Sequence, residues 1–150
     1  MYLMARCNNK RILIDYYVGA DGPTLRLDVQ SKQSLDGLRS LFLDLASKKR
    51  THIRLHKFSP VRMTSRIKAI HLILEANTRS GKLELHAADP DGAVFRWWAP
   101  SEVWTDYVGL IDGLVGPGHQ YLAGEAHDDA IVELAFMEAP LHTDEGAVPE

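Results

Sequence analysis

The chain is short of several things that would point to a mechanism. It holds one cysteine, Cys7, in 150 residues, so neither an intramolecular disulfide nor a cysteine-rich zinc site can form, and a reducing compartment suits it. It has no excess of positive charge: 17 Lys and Arg stand against 20 Asp and Glu, with no long basic run. A nucleic-acid backbone, which is held by concentrated positive charge, is therefore not the expected partner. Long apolar runs are missing as well. The segment Ile67-Lys68-Ala69-Ile70-His71-Leu72-Ile73-Leu74-Glu75 is broken by charge, far short of the ~20 apolar residues that span a bilayer. Asn8-Asn9-Lys10-Arg11 cuts short the apolar start of the chain, which does not fit an export signal. These absences predict a cytoplasmic protein without a membrane partner.

Catalytic signatures are equally scarce. No Ser or Thr sits in a nucleophile elbow, Cys7 has no activating neighbours, and no Gly-rich strand-to-helix turn offers a phosphate cradle. Gly113, Gly116 and Gly118 follow a helical stretch, where glycine ends the helix. Asp89 and Asp91 lack the further oxygen ligands of a calcium loop. No catalytic residue, cofactor or metal is assigned on this basis.

What is present is a core. With 45% hydrophobic residues, a chain of this length buries roughly 70% of the surface its unfolded form exposes. Residues 11–18 and 24–30 alternate or run β-branched and aromatic around Gly19-Ala20-Asp21-Gly22-Pro23, which predicts a hairpin. In its second arm Leu25, Leu27 and Val29 share a face opposite Arg26 and Asp28, the pattern of a sheet wet on one side. Residues 1–7 are a further strand candidate. Leu35, Leu38, Leu41, Phe42 and Leu45 then recur at helical spacing, which predicts a helix over 35–48 capped by Ser34 and followed by Lys48-Lys49-Arg50. Residues 51–58 and 67–76 read as strands, with Ile70, Leu72, Leu74 and Ala76 toward the core.

Residues 82–88 and 93–98 flank Asp89-Pro90-Asp91-Gly92, the clearest hairpin signal in the chain. Pairing Ala87 with Phe95 and Leu85 with Trp97 makes one face apolar and gathers Glu84, His86, Arg96 and Trp98 on the other; a slip of one residue mixes the faces. A second helix is predicted over 102–115, capped by Ser101 behind Pro100, with Val103, Tyr107, Leu110, Ile111 and Leu114 as its buried stripe and Gly116-Pro117-Gly118 as its end. Residues 119–122 and 130–137 read as two last strands around a polar loop. Strands, helix, strands, helix, strands is the order of an α+β fold, here one domain over 1–138 with a mostly antiparallel sheet and two helices on one face. Residues 139–150 read as a flexible acidic tail.

Seven histidines invite a metal or acid-base reading. His52 and His56 are four apart, but residues 51–56 alternate like a strand, where that spacing is about 13 Å. They read as a solvated face with Arg54 between them, and His71 as a core-edge residue. His119-Gln120-Tyr121 and Asp128-Asp129 form the richest polar segments near a helix end, and a His-Asp pair is a general base with its orienter. Trp97, Trp98 and Trp104 fall within eight residues. Two suit the core between hairpin and helix, while the third, beside an Arg, suits an interface. Asp106, Glu125, Asp128 and Asp129 around it would form an acidic rim for a basic partner.

Phe95-Arg96-Trp97-Trp98-Ala99-Pro100-Ser101-Glu102-Val103-Trp104, then Leu110-Ile111 and Pro117-Gly118-His119-Gln120-Tyr121-Leu122, resembles small bacterial immunity-type proteins found beside polymorphic or contact-dependent toxins. The resemblance covers about residues 95–137. It implies a cytoplasmic, non-enzymatic protein that binds a toxin domain through acidic and aromatic surface. The expectation is therefore a non-catalytic protein-binding domain whose site draws on Glu84, His86, Arg96, Trp98, His119, Tyr121, Asp128 and Asp129. A small enzyme or small-molecule binder with a His119, Tyr121 and Asp128 pocket is the alternative, and a homo-oligomer subunit is a third reading.

Overall fold

The computed structural model describes residues 11–89, 92–125 and 128–138. In chain order these form β1 (Ile12–Gly19), β2 (Gly22–Val29), α1 (Lys32–Ala46), β3 (His52–Arg54), a short 3-10 turn (Leu55–Lys57), β4 (Val61–Met63), β5 (Ile67–Leu74), β6 (Lys82–Asp89), β7 (Gly92–Ala99), α2 (Ser101–Asp112), β8 (Gly118–Ala123) and β9 (Ile131–Phe136). The candidate strand over 1–7 and the tail over 139–150 lie outside the described residues, as do Pro90 and Asp91 of the second hairpin turn.

The expected single α+β domain is what the chain adopts, with its strands shared between two mixed sheets. One sheet has the order β4-β1-β2-β9-β8 and the other β3-β5-β7-β6. The sequence-adjacent hairpins are antiparallel, but β1 with β4, β2 with β9 and β5 with β7 are parallel pairs. Both sheets turn apolar faces to one core that includes Ile12, Ile14, Leu25, Leu27, Ile70, Leu72, Phe95 and Leu134. Tyr16 of β1 meets Phe95 of β7 edge-on at 5.2 Å, joining the two sheets.

The helices pack on each other and reach the inner faces of both sheets. Helix α1 buries Leu35, Leu38, Leu41, Phe42 and Leu45, the stripe its spacing predicts. Its cap is Ser31, not Ser34: the Ser31 hydroxyl accepts from Ser34 N–H at 3.1 Å, and Ser34 itself is buried. The far end closes with Lys48 at φ 65, where Lys48 N–H donates to Leu45 O and Lys49 N–H to Asp44 O, the pair of bonds that ends a helix through a left-handed residue.

Helix α2 starts at Ser101 with Pro100 as its cap residue and no side-chain capping bond, and stops at Asp112 before Gly113. Its buried face is Trp104, Tyr107, Val108 and Ile111, rotated from the expected stripe because Trp104 supplies the largest apolar surface. Arg39 of α1 grips Asp112 of α2 through Nε at 2.6 Å and Nη2 at 3.2 Å. Between the helices and β7, the rings of Phe42, Trp97, Trp104 and Tyr107 all lie within 6.2 Å of one another by centroid. Trp104 Nε1 donates to Ala99 O at 2.9 Å, and burial pushes the Tyr107 phenol up to about 12.

Candidate functional site

The second hairpin presents the face its alternation predicts, at a register two residues away from the one expected. Leu85 pairs with Phe95, Leu83 with Trp97 and Glu84 with Arg96. The chain reverses between Asp89 and Gly92, and a register irregularity between His86 and Asp89 absorbs the difference. A shift of two keeps every side chain on its face. Glu84, His86, Arg96 and Trp98 therefore do share the outer side of the four-stranded sheet. Trp97 and Trp104 are fully buried, and Trp98 is the half-exposed member of the three.

The neighbouring strands extend this face. Arg96 stands beside His71 of β5, which stands beside Arg54 of β3, while Trp98 stands beside Ile73 and then His52. Lys82 and His86 both lie near Glu84, at 3.7 and 3.1 Å. Among the described side chains of these strands the face carries Arg54, Lys82 and Arg96 as fixed cations and Glu84 as a carboxylate, in a chain whose net charge is -3.

Strand alternation does not hold over residues 51–58, and this brings three histidines together. After Arg54 the chain enters the 3-10 turn, which swings His56 back toward β5. His52 Nε2 lies 2.8 Å from His71 Nδ1, and the His56 ring meets the His71 ring at 5.4 Å. Ile70 N–H donates to His56 Nδ1 at 3.1 Å. Burial first, then the positive neighbours His52, His56, Arg96 and Arg54, hold the His71 pKa below its ordinary value. Burial does the same for His56, with Lys57, Arg54 and His52 adding to it.

Asp128 and Asp129 are committed to backbone rather than displayed on an acidic rim. The Asp128 carboxylate accepts from Leu83 N–H at 2.8 Å, Gly124 N–H at 3.1 Å and Glu125 N–H at 3.0 Å. Asp129 accepts from Leu85 N–H at 2.8 Å and returns its own N–H to Leu83 O at 2.9 Å. Strand β6 is the edge of its sheet, and these two residues cover backbone groups that would otherwise offer a pairing template.

No family, curated protein or solved structure matches this chain. Its function is therefore read from its own geometry.

His119 and Tyr121 do meet, ring on ring at 5.5 Å, but the carboxylate at His119 Nδ1 belongs to Glu138, at 3.1 Å, and not to Asp128. They sit on the outer side of the five-stranded sheet, where Asp15, Arg26, Glu133 and Tyr121 lie abreast on β1, β2, β9 and β8. Arg26 and Asp28 were expected on a wet face, yet Arg26 is 2% exposed and Asp28 3%. Strand β2 lies between β1 and β9 in the sheet, so its polar residues are flanked by full strands on both sides. Arg26 Nη1 is 3.2 Å from Glu133 and Nη2 is 3.9 Å from Glu138.

Burial and Glu133 raise the nearby Tyr17 phenol more than Arg26 lowers it. Glu133 is also the first cause of the raised Tyr121 phenol. Sequence reading missed Arg26, Glu133 and Glu138 as one group. Nothing in the sequence marks the group, because the central positions of β2 and β9 come from strand pairing between distant segments.

Proposed function

We propose that the protein is a non-catalytic protein-binding domain that docks an acidic partner surface on the outer face of its four-stranded sheet. The observation that carries this reading is the partly exposed Trp98 with Lys82 beside it on β6 and Arg96 two residues along its own strand, on a face that continues through His71 to Arg54. An aromatic anchor flanked by arginines is the usual composition of an energetic interface centre. The charge of the face selects an acidic partner, the reverse of the basic one expected while Asp128 and Asp129 were read as displayed. An immunity-type role fits this arrangement with a toxin domain that presents acidic side chains around its active surface. Among the described residues no helix is long and apolar enough to cross a membrane.

The test is photo-crosslinking in the native host, with a crosslinking amino acid at Trp98 in one variant and at Val115, which is 93% exposed, in another. A discrete acidic protein captured from position 98 only, and lost when Arg54 and Arg96 become Glu, supports the reading. Its affinity should fall with added salt, as steering between opposite charges does. Capture unaffected by the charge reversal, or capture from position 115 alone, refutes it.

A further inference from the structure

The outer side of the five-stranded sheet carries a second arrangement that the docking face does not use. Among the described residues, His119, Glu133 and Glu138 form a group whose ligand atoms all lie within 4.8 Å of one another. Two local features bring them there. His119 and Glu133 lie on the paired strands β8 and β9, diagonal to each other across the pairs His119 with Ala135 and Tyr121 with Glu133. Glu138 would point to the opposite face if β9 simply continued, because strand side chains alternate. Met137 at φ 57 breaks that alternation, anchored by its N–H to Val29 O at 2.9 Å, and Glu138 folds back over Glu133 and His119.

We propose that His119, Glu133 and Glu138 bind one transition-metal dication of the zinc or manganese class. One imidazole nitrogen and two carboxylate oxygens form a donor set of this class. Tetrahedral ligands about 2.0–2.2 Å from such an ion stand roughly 3.3–3.6 Å apart, so the three side chains close on an ion with shifts of up to about an ångström. Glu133 is 4% exposed, and Arg26 lies against its Oε2, which leaves Oε1 to ligate while the guanidinium orients the carboxylate from behind.

Charge points the same way. Arg26 faces two glutamates, so its single charge matches only one of them, at a place where Glu133 is buried and Glu138 is partly exposed. A dication is the partner that such a site favours.

Arg26 is fully buried and holds the carboxylates in place: its guanidinium lies 3.2 Å from Glu133 and 3.9 Å from Glu138 and shares a side-chain hydrogen bond with Tyr17. The three histidines on the other sheet offer no comparable set, because Ile70 N–H occupies His56 Nδ1.

The full chain is titrated with ZnCl2 by calorimetry and with CoCl2 by visible absorption at pH 7.5, alongside His119→Ala and Glu138→Gln. Both substitutions are at partly exposed positions, and circular dichroism checks that the variants are folded. The expected result is one equivalent bound, with affinity at least tenfold weaker in each variant. The affinity of the native chain should also fall several-fold at pH 5.5, where an imidazole carries a proton in place of a metal. Absence of one-to-one binding overturns the proposal. So does stoichiometric binding that both variants keep and that His52→Ala with His71→Ala abolishes.

Discussion

Asp128→Ala is the sharpest test of how the two sheets are held. The carboxylate accepts three backbone N–H groups, and these differ in kind. Leu83 is fully buried, so losing a charged acceptor at 2.8 Å leaves a donor that water cannot reach, at a cost of about 1.5–3 kcal/mol. Gly124 and Glu125 lie in an exposed loop, where their N–H groups return to water for about 0.5 kcal/mol each. The total is about 2.5–4 kcal/mol.

For a domain of this length that total lowers Tm by roughly 5–12 °C. Urea unfolding followed by tryptophan emission reads it, because Trp97 and Trp104 are fully buried. Asp129→Ala is the internal control. It removes one bond to Leu85 N–H in an exposed setting and should cost about 1 kcal/mol. Uncovering the β6 edge should also promote self-association, visible in sedimentation at high concentration. A loss under about 0.5 kcal/mol for Asp128→Ala, or equal losses for both variants, would falsify the view that Asp128 joins the β8–β9 connection to β6.

Two further predictions follow from local geometry. His56 and His71 have folded pKa values below the ordinary 6.5, so below that pH the unfolded chain binds more protons than the folded one. Their stabilising contribution is complete above pH 6.5 and is lost as pH falls through the folded values; the urea midpoint should drop between pH 7 and pH 5, and less steeply in His56→Gln with His71→Gln. Gly22 and Gly92 share a φ of 103, yet a Cβ on Gly22 meets nothing within 4 Å while one on Gly92 meets backbone atoms of Lys68, Ser65 and Arg66 at 3.1–3.2 Å. Gly22→Ala should cost about 1–2 kcal/mol from backbone strain alone, and Gly92→Ala at least about 1 kcal/mol more; thermal unfolding giving equal losses refutes the close approach.

Periodicity carried most of the local structure and little of the pairing. Helix α1 is legible because Leu35, Leu38, Leu41, Phe42 and Leu45 recur at 3.6 residues per turn, and the first hairpin because its turn glycines sit between alternating arms. Alternation also placed Glu84, His86, Arg96 and Trp98 on one face, since an error of two residues in register preserves parity. It is silent on which strand lies next to which. Leu25, Leu27 and Val29 alternate in the same way on an edge strand or a central one, so the burial of Arg26 between β1 and β9 was out of reach. Residues 51–58 misled because a turn at Leu55 interrupts the alternation, and that turn is what assembles His52, His56 and His71. Asp128 and Asp129 were legible as polar and not as backbone acceptors, because nothing near them in sequence marks Leu83 and Leu85 as their partners.

The parallel pairing of β2 with β9 has a consequence for biosynthesis. Thr24 lies against Ile131 and Val29 against Phe136, so a strand made early waits for one made more than 100 residues later. Throughout that interval β2 has β1 on one side and an open edge on the other, with Leu25, Leu27 and Val29 ready to pair with any extended chain. The ribosome must extrude the chain through Phe136 before the larger sheet can close. Closure across so long a loop is also slow to nucleate. The nascent chain is thus most vulnerable when the core residues from β1 to β8 are synthesised and the strand that seals them is still inside the exit tunnel.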